Sequence, residues 1–129
     1  MKLELDNIRN ILLDLEENLG YNQSFGNADL VERANKLGIA KEDYFYTIDR
    51  LSEANYVNVV YRNPTYQPIV YVKSITYDGH QFLENIRNDK NWKKTKAVAK
   101  AAGNTSIKII STIAEKVGAE IALNVLGLK

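Results

Sequence analysis

Cysteine is absent, histidine occurs once, at His80, and proline twice. Without cysteine there is no disulfide framework, no thiolate nucleophile and no thiolate metal site. One imidazole excludes a two-histidine metal site, and a Ser–His–Asp triad would need partners that no motif supplies. The seven glycines are scattered, with neither a GxGxxG nor a GK[ST] phosphate loop. The adjacent carboxylates Glu16-Glu17 and Glu42-Asp43 point in different directions on a helix and share no site. No catalytic residue, metal or cofactor is therefore expected, and an enzyme is not. A long hydrophobic run is also missing. The most apolar stretch, Val117 to Leu128, contains Glu120 and Asn124 and is too short to span a bilayer. The opening MKLELDNIRN carries carboxylates where a signal peptide would need an apolar core. The expectation is a cytoplasmic protein with no membrane contact.

What is present suits one core with an appendage: 129 residues, 45% hydrophobic and 26% charged, are ordinary globular usage. The net charge of +1 hides a split. Residues 1–87 hold nine Lys/Arg and thirteen Asp/Glu, whereas residues 88–129 hold eight and three. The basic character lies in the C-terminal third.

Hydrophobic spacing predicts the elements. Ile8, Ile11, Leu12, Leu15 and Leu19 recur on one helical face, with Asp6 as N-cap and Gly20 as the stop. Asn27 is placed to cap a short second helix burying Leu30, Ala34 and Leu37, ended by Gly38. A third helix, from about Lys41 to Asn55, turns Tyr44, Ile48 and Leu51 inward. From Tyr56 to Ile75 the β-branched runs VNVVYR and IVYVKSI flank NPTYQP, a hairpin with a stiff tip. Thr76 then caps a fourth helix that buries Gly79, Phe82, Leu83 and Ile86. The expected fold is mainly α with a β-hairpin: a winged helix-turn-helix domain over residues 1–88, followed by a helical extension over 89–129. In the extension, Trp92, Thr95, Val98, Ala99 and Ala102 form one face of a basic helix. Beyond Gly103-Asn104 a hydrophobic helix follows, with a seam of Ile107, Ile110, Ala114, Val117, Ile121 and Leu128.

The stretch SITYDGHQFLENIRNDKNWKKTK, Ser74 to Lys96, and within it Gly79 to Leu83 with Trp92-Lys93-Lys94, resembles the corresponding run of a phage and prophage family. That family has no assigned activity and is similar in sequence to winged-helix regulators. The resemblance covers nearly the whole chain and implies a fold and a genomic setting, not a function.

The candidate function is double-stranded DNA binding by a phage-type transcriptional regulator. Lys41, Tyr46, Thr47 and Arg50 are expected on the outer face of the third helix, where a winged-helix protein reads bases. Arg62 and Lys73 on the hairpin, and Lys90, Lys93, Lys94, Lys96 and Lys100 on the basic helix, would meet phosphates. Glu42, Asp43, Asp49 and Glu53 on the third helix oppose that reading. The rival is a module that engages a host or phage protein, through Tyr66 at the hairpin tip, with Tyr61 and Tyr71 beside it, or through the hydrophobic tail. The apolar seam needs a cover: its own domain, a foreign partner, or a second copy in a homodimer through the C-terminal helix. For His80 a packing or capping role is expected, and for Trp92 that of an anchor.

Overall fold

The computed structural model describes residues 3–62, 69–103 and 106–127. Among them six helices and one two-stranded antiparallel sheet follow in the order α1 (Leu5–Asn18), α2 (Asn27–Leu37), α3 (Lys41–Glu53), β1 (Val57–Arg62), β2 (Ile69–Ile75), α4 (Tyr77–Ile86), α5 (Asp89–Ala102) and α6 (Ile107–Val125). The hairpin tip, with both prolines and Tyr66, and Leu128 lie outside the described residues.

The apolar spacing buries the faces it predicts. Ile8, Ile11 and Leu12 of α1, Leu30 and Ala34 of α2, and Tyr44, Ile48 and Leu51 of α3 are fully enclosed. Charge fixes how α1 and α2 meet: Arg33 donates from Nε and an Nη to the two carboxylate oxygens of Asp14, each at 3.0 Å. Gly38 ends α2 at φ +69°, a left-handed conformation that costs a residue without Cβ little.

Two of the expected caps sit elsewhere. Asp6 lies within the first turn of α1, whose N-cap is Glu4, and its carboxylate is engaged by α5 instead. Asn27 is the first residue of α2 rather than its cap. Its side-chain carbonyl accepts the backbone N–H of Val70 at 2.7 Å, fastening β2 to α2. The N–H of Gly26 meets the Asp29 carboxylate at 3.0 Å. Helix α3 closes at Glu53, and Asn55 takes φ +64° on the way into β1.

Strands β1 and β2 pair from Val57 opposite Ile75 to Arg62 opposite Ile69, with an irregularity between Asn58 and Val59. Phe25 adds an isolated bridge to Val72 on the other edge of β2, its N–H and C=O bonding Val72 at 3.0 and 2.9 Å. Tyr61 and Tyr71 are not cross-strand partners, because they face Val70 and Val60.

Tyr56 joins the hairpin to α4. Its ring stacks on Phe82 with centroids 5.1 Å apart, and its carbonyl accepts the N–H of Thr76 at 3.0 Å. Thr76 caps α4 as the sequence predicts, its hydroxyl oxygen accepting the Gly79 N–H at 2.9 Å. A Cβ on Gly79 would lie 2.0 Å from the Tyr56 carbonyl oxygen, so no other residue fits there.

The C-terminal helices fold onto this body. Trp92, Ala99, Ile107, Ile110 and Ala114 belong to the same hydrophobic cluster as Ile8, Leu12 and Phe82. One core therefore crosses residue 88. Trp92 is buried as the anchor of α5, and its indole N–H donates to Asp6 at 2.9 Å. Arg9 fixes the turn between α4 and α5, donating to the carbonyls of Ile86 (2.8 Å) and Arg87 (2.6 Å) and to Asp89 (2.7 Å). Val98 and Ala102, expected on the inner side of α5, are exposed.

Two predictions follow from this packing. Gly79→Ala should lower stability by about 3 kcal/mol, because the clash is with backbone that cannot yield. Gly118→Ala meets only the end of the Asn85 side chain, 2.8 Å away, and should change stability by about 1 kcal/mol or less. Chemical denaturation of both variants checks the pair, and equal effects would remove the assigned role of the Tyr56 carbonyl. The second concerns Asp6, whose carboxyl is held below its usual range by the hydrogen bond from Trp92 and then that from Lys96. Such a group adds stability above its unfolded value of about 3.9 and loses it as pH falls through the lower folded value. Asp6→Asn should therefore lower the urea midpoint at neutral pH and reduce its fall on acidification below about pH 4. Trp92 fluorescence reads both.

Candidate functional site

Of the two cations expected on the outer face of α3, Lys41 is exposed and Arg50 is engaged within the helix. Arg50 is bonded to Glu53 one turn on, and its guanidinium lies 4.8 Å from the centre of the Tyr46 ring. Its Nε is buried without a hydrogen-bond partner. Asp49 accepts the Tyr61 hydroxyl at 2.7 Å, which ties β1 to α3. Burial, then that bond to a carboxylate, pushes the Tyr61 phenol up to about 12. Lys41 and Glu42 are both exposed at the start of the helix. The described surface of α3 thus mixes aromatic and acidic side chains with Lys41 at its start, and its one arginine is paired with Glu53.

Thr47 does not belong to that face. It is 0% exposed, and its hydroxyl donates to the Asp43 carbonyl at 2.7 Å. Its position, three residues after Tyr44 and one before Ile48, places it on the inner stripe. Tyr44 beside it is likewise enclosed, and burial raises its phenol above the ordinary range.

On the hairpin, Arg62 and Lys73 are exposed, with the Arg62 guanidinium 6.0 Å from the Tyr71 ring centre. The lysines of α5 divide. Lys96 pairs with Asp6 at 3.0 Å and Lys94 with Glu120 at 3.7 Å. Lys90, Lys93 and Lys100 are exposed and make no ion pair among the described residues. The basic helix is partly a docking element for α1 and α6, not an uninterrupted cationic strip.

The apolar seam of α6 is covered in its first half by the chain itself. Ile107, Ile110, Ala114 and Val117 are buried against α4 and α5, so they cannot form an oligomer surface in this fold. The cover is the protein's own domain. From Gly118 onward no described residue of the helix is buried: Ile121 is half-buried, Leu123 is exposed, and Val125 and Leu126 are 80% and 68% exposed. A short apolar end therefore stands clear of the body.

Sequence reading missed a cleft of about 470 Å³ between the end of α1, the turn after it, β2 and the start of α4. Glu16, Lys73 and His80 line it, although 64 positions separate the first from the last. His80 neither caps nor packs. Its ring is half exposed, with Nδ1 4.0 Å from Glu16. Glu16 is held by both terminal nitrogens of Arg87, each at 2.6 Å, which keeps its carboxyl below the usual range. No local motif signals this grouping, since each member comes from a different element. Among the described residues no cluster of three or more His, Asp or Glu side chains could hold a metal ion, and no helix is long and apolar enough to cross a membrane.

No curated protein and no solved structure matches the chain. The family described as Hypothetical protein (DUF2513) matches residues 2–105, through α1 to α5 and the turn that follows, and the chain belongs to that family.

Proposed function

We propose that this chain is a winged-helix-type module that works by engaging a protein. The element order from α1 to α4 and the Phe25 bridge beside the hairpin support the winged-helix reading. The observation that carries the functional reading is the bare apolar end of α6, where Leu123, Val125 and Leu126 meet solvent while the preceding turns of the same helix are buried. Exposed contiguous apolar surface is a common mark of a protein contact. The acidic, aromatic α3 face agrees with it, since carboxylates repel phosphate. The resemblance to a phage and prophage family makes a host or phage protein the partner class, and a second copy of the chain is the simplest partner to test. No chemistry at a catalytic centre enters this reading.

A second reading, binding of double-stranded DNA by a transcription regulator, is favoured by one observation. Lys90, Lys93 and Lys100 project from α5 without ion pairs among the described residues. Arg62, Lys73 and Lys41 are exposed cations elsewhere on the surface.

The first reading predicts that stopping the chain after Val117 leaves the core intact and removes association. Sedimentation at micromolar concentration should give a dimer for the intact chain and a monomer for the shortened one, with melting temperatures within a few degrees of each other. A monomeric intact chain eliminates the second copy and directs the search to a foreign protein. The DNA reading predicts instead that affinity for duplexes falls with salt, by a logarithmic slope of about −0.9 per phosphate contacted. Changing Lys90, Lys93 and Lys100 together to Gln should then flatten the slope by about 2.7. Arg50→Ala should leave sequence preference unchanged, because that side chain is spent on Glu53 and Tyr46. Absence of any duplex binding at low salt retires DNA as the target.

A further inference from the structure

The cleft at Glu16, Lys73 and His80 has the composition of a ligand site, independently of what α6 engages. Its floor is apolar, formed by Leu15, Leu19 and Ile75, and Tyr21, 94% exposed, stands at its rim. The polar side chains of Glu16, Asn22, Gln23, Lys73, Ser74 and His80 surround that floor, and a concavity of a few hundred Å³ is of the size that small molecules occupy.

The charges in it are unequal in availability. Both oxygens of Glu16 already accept from Arg87 at 2.6 Å, so this carboxylate is neutralised by a pairing of its own. The Lys73 ammonium is exposed and has no ion pair among the described residues. The His80 ring lies 4.0 Å from Glu16, beyond hydrogen-bond reach. Of these three groups, the two left unengaged, Lys73 and His80, can donate to an anion. One wall is also a strand edge. Among the described residues Phe25 pairs with β2 at Val72 alone, so the outer edge of β2 from Lys73 to Ile75 opens into the cleft.

The geometry points to a binding site for a small anionic molecule with an apolar body, its ring or chain on Leu15, Leu19 and Ile75 and its anionic group between Lys73 and His80. A cation of the same shape is disfavoured, because the one carboxylate is occupied. The walls belong to α1, β2 and α4, which share one core, so the site is held by rigid elements on three sides.

Benzoate is a sufficient probe, with benzyl alcohol as the uncharged control of similar shape. Titration of the intact chain, followed by ¹H–¹⁵N correlation spectra, should shift the amides of Gln23, Ser74, Ile75 and His80. Saturation should come at a low-millimolar dissociation constant, about what nine heavy atoms deliver. Benzyl alcohol should bind about tenfold more weakly, as should benzoate to a Lys73→Gln, His80→Gln double variant. Both side chains are at the surface, so the variant's spectrum should otherwise match the parent and separate loss of binding from loss of fold. Three outcomes overturn the assignment: no saturation below about 50 mM benzoate, equal affinity for the alcohol, or shifts that centre on Lys90, Lys93 and Lys100 of α5 and mark unspecific anion attraction.

Discussion

The carbonyl oxygen of Tyr56 occupies the space that a side chain at position 79 would need, and the rest of the architecture is arranged around that approach. The same carbonyl accepts the Thr76 N–H, while the Tyr56 ring stacks on Phe82 and lies 5.9 Å from the Lys108 ammonium. One residue thus touches the end of the hairpin, α4 and the start of α6. Because α4 is seated this closely, its Phe82 and Ile86 reach the core that α5 and α6 complete. Moving α4 outward by the width of a methyl group would open that core on both sides.

Electrostatic contacts are distributed in a way that favours assembly of the chain over attraction of an external polyanion. Arg9, Arg33, Arg50, Arg87, Lys94 and Lys96 all meet carboxylates. Five of these pairs bridge different helices or their caps: Arg9 to Asp89, Arg33 to Asp14, Arg87 to Glu16, Lys94 to Glu120 and Lys96 to Asp6. Exposed pairs add little each, but their geometry selects one arrangement of the helices over others. From the basic C-terminal third, Lys96 reaches Asp6 of the N-terminal body, and Lys94 stays within the third on Glu120.

The legible part of the fold was that set by local periodicity. Ile8 to Leu15, Tyr44 to Leu51 and Gly79 to Ile86 show their buried faces in the spacing of their own residues, and the β-branched runs give the strands to within one residue. Caps were less legible, because Asp6 and Asn27 have side chains suited to capping and use them on Trp92 and Val70, partners 86 and 43 residues away. Thr47 was misplaced because a hydroxyl reads as polar, yet it satisfies itself on the preceding turn and lies inside. The seam of α6 is a buried stripe from Ile107 to Val117 and not at Ile121, and spacing cannot say which surface does the burying or where it stops. The cleft was not legible at all, since a cavity is a property of how α1, β2 and α4 meet.

The single core that crosses residue 88 also sets an order of events during synthesis. Ribosomes release the N-terminal segment first, so α1 emerges with Asp6 and Arg9 long before Trp92 and Asp89 exist to meet them. Until α6 has followed, the patch that receives Ile107, Ile110 and Ala114 stands open on the nascent chain. The protein therefore acquires its final packing only once α6 has emerged, and loss of α5 and α6 would leave a body with an unhealed hydrophobic face rather than a smaller finished domain.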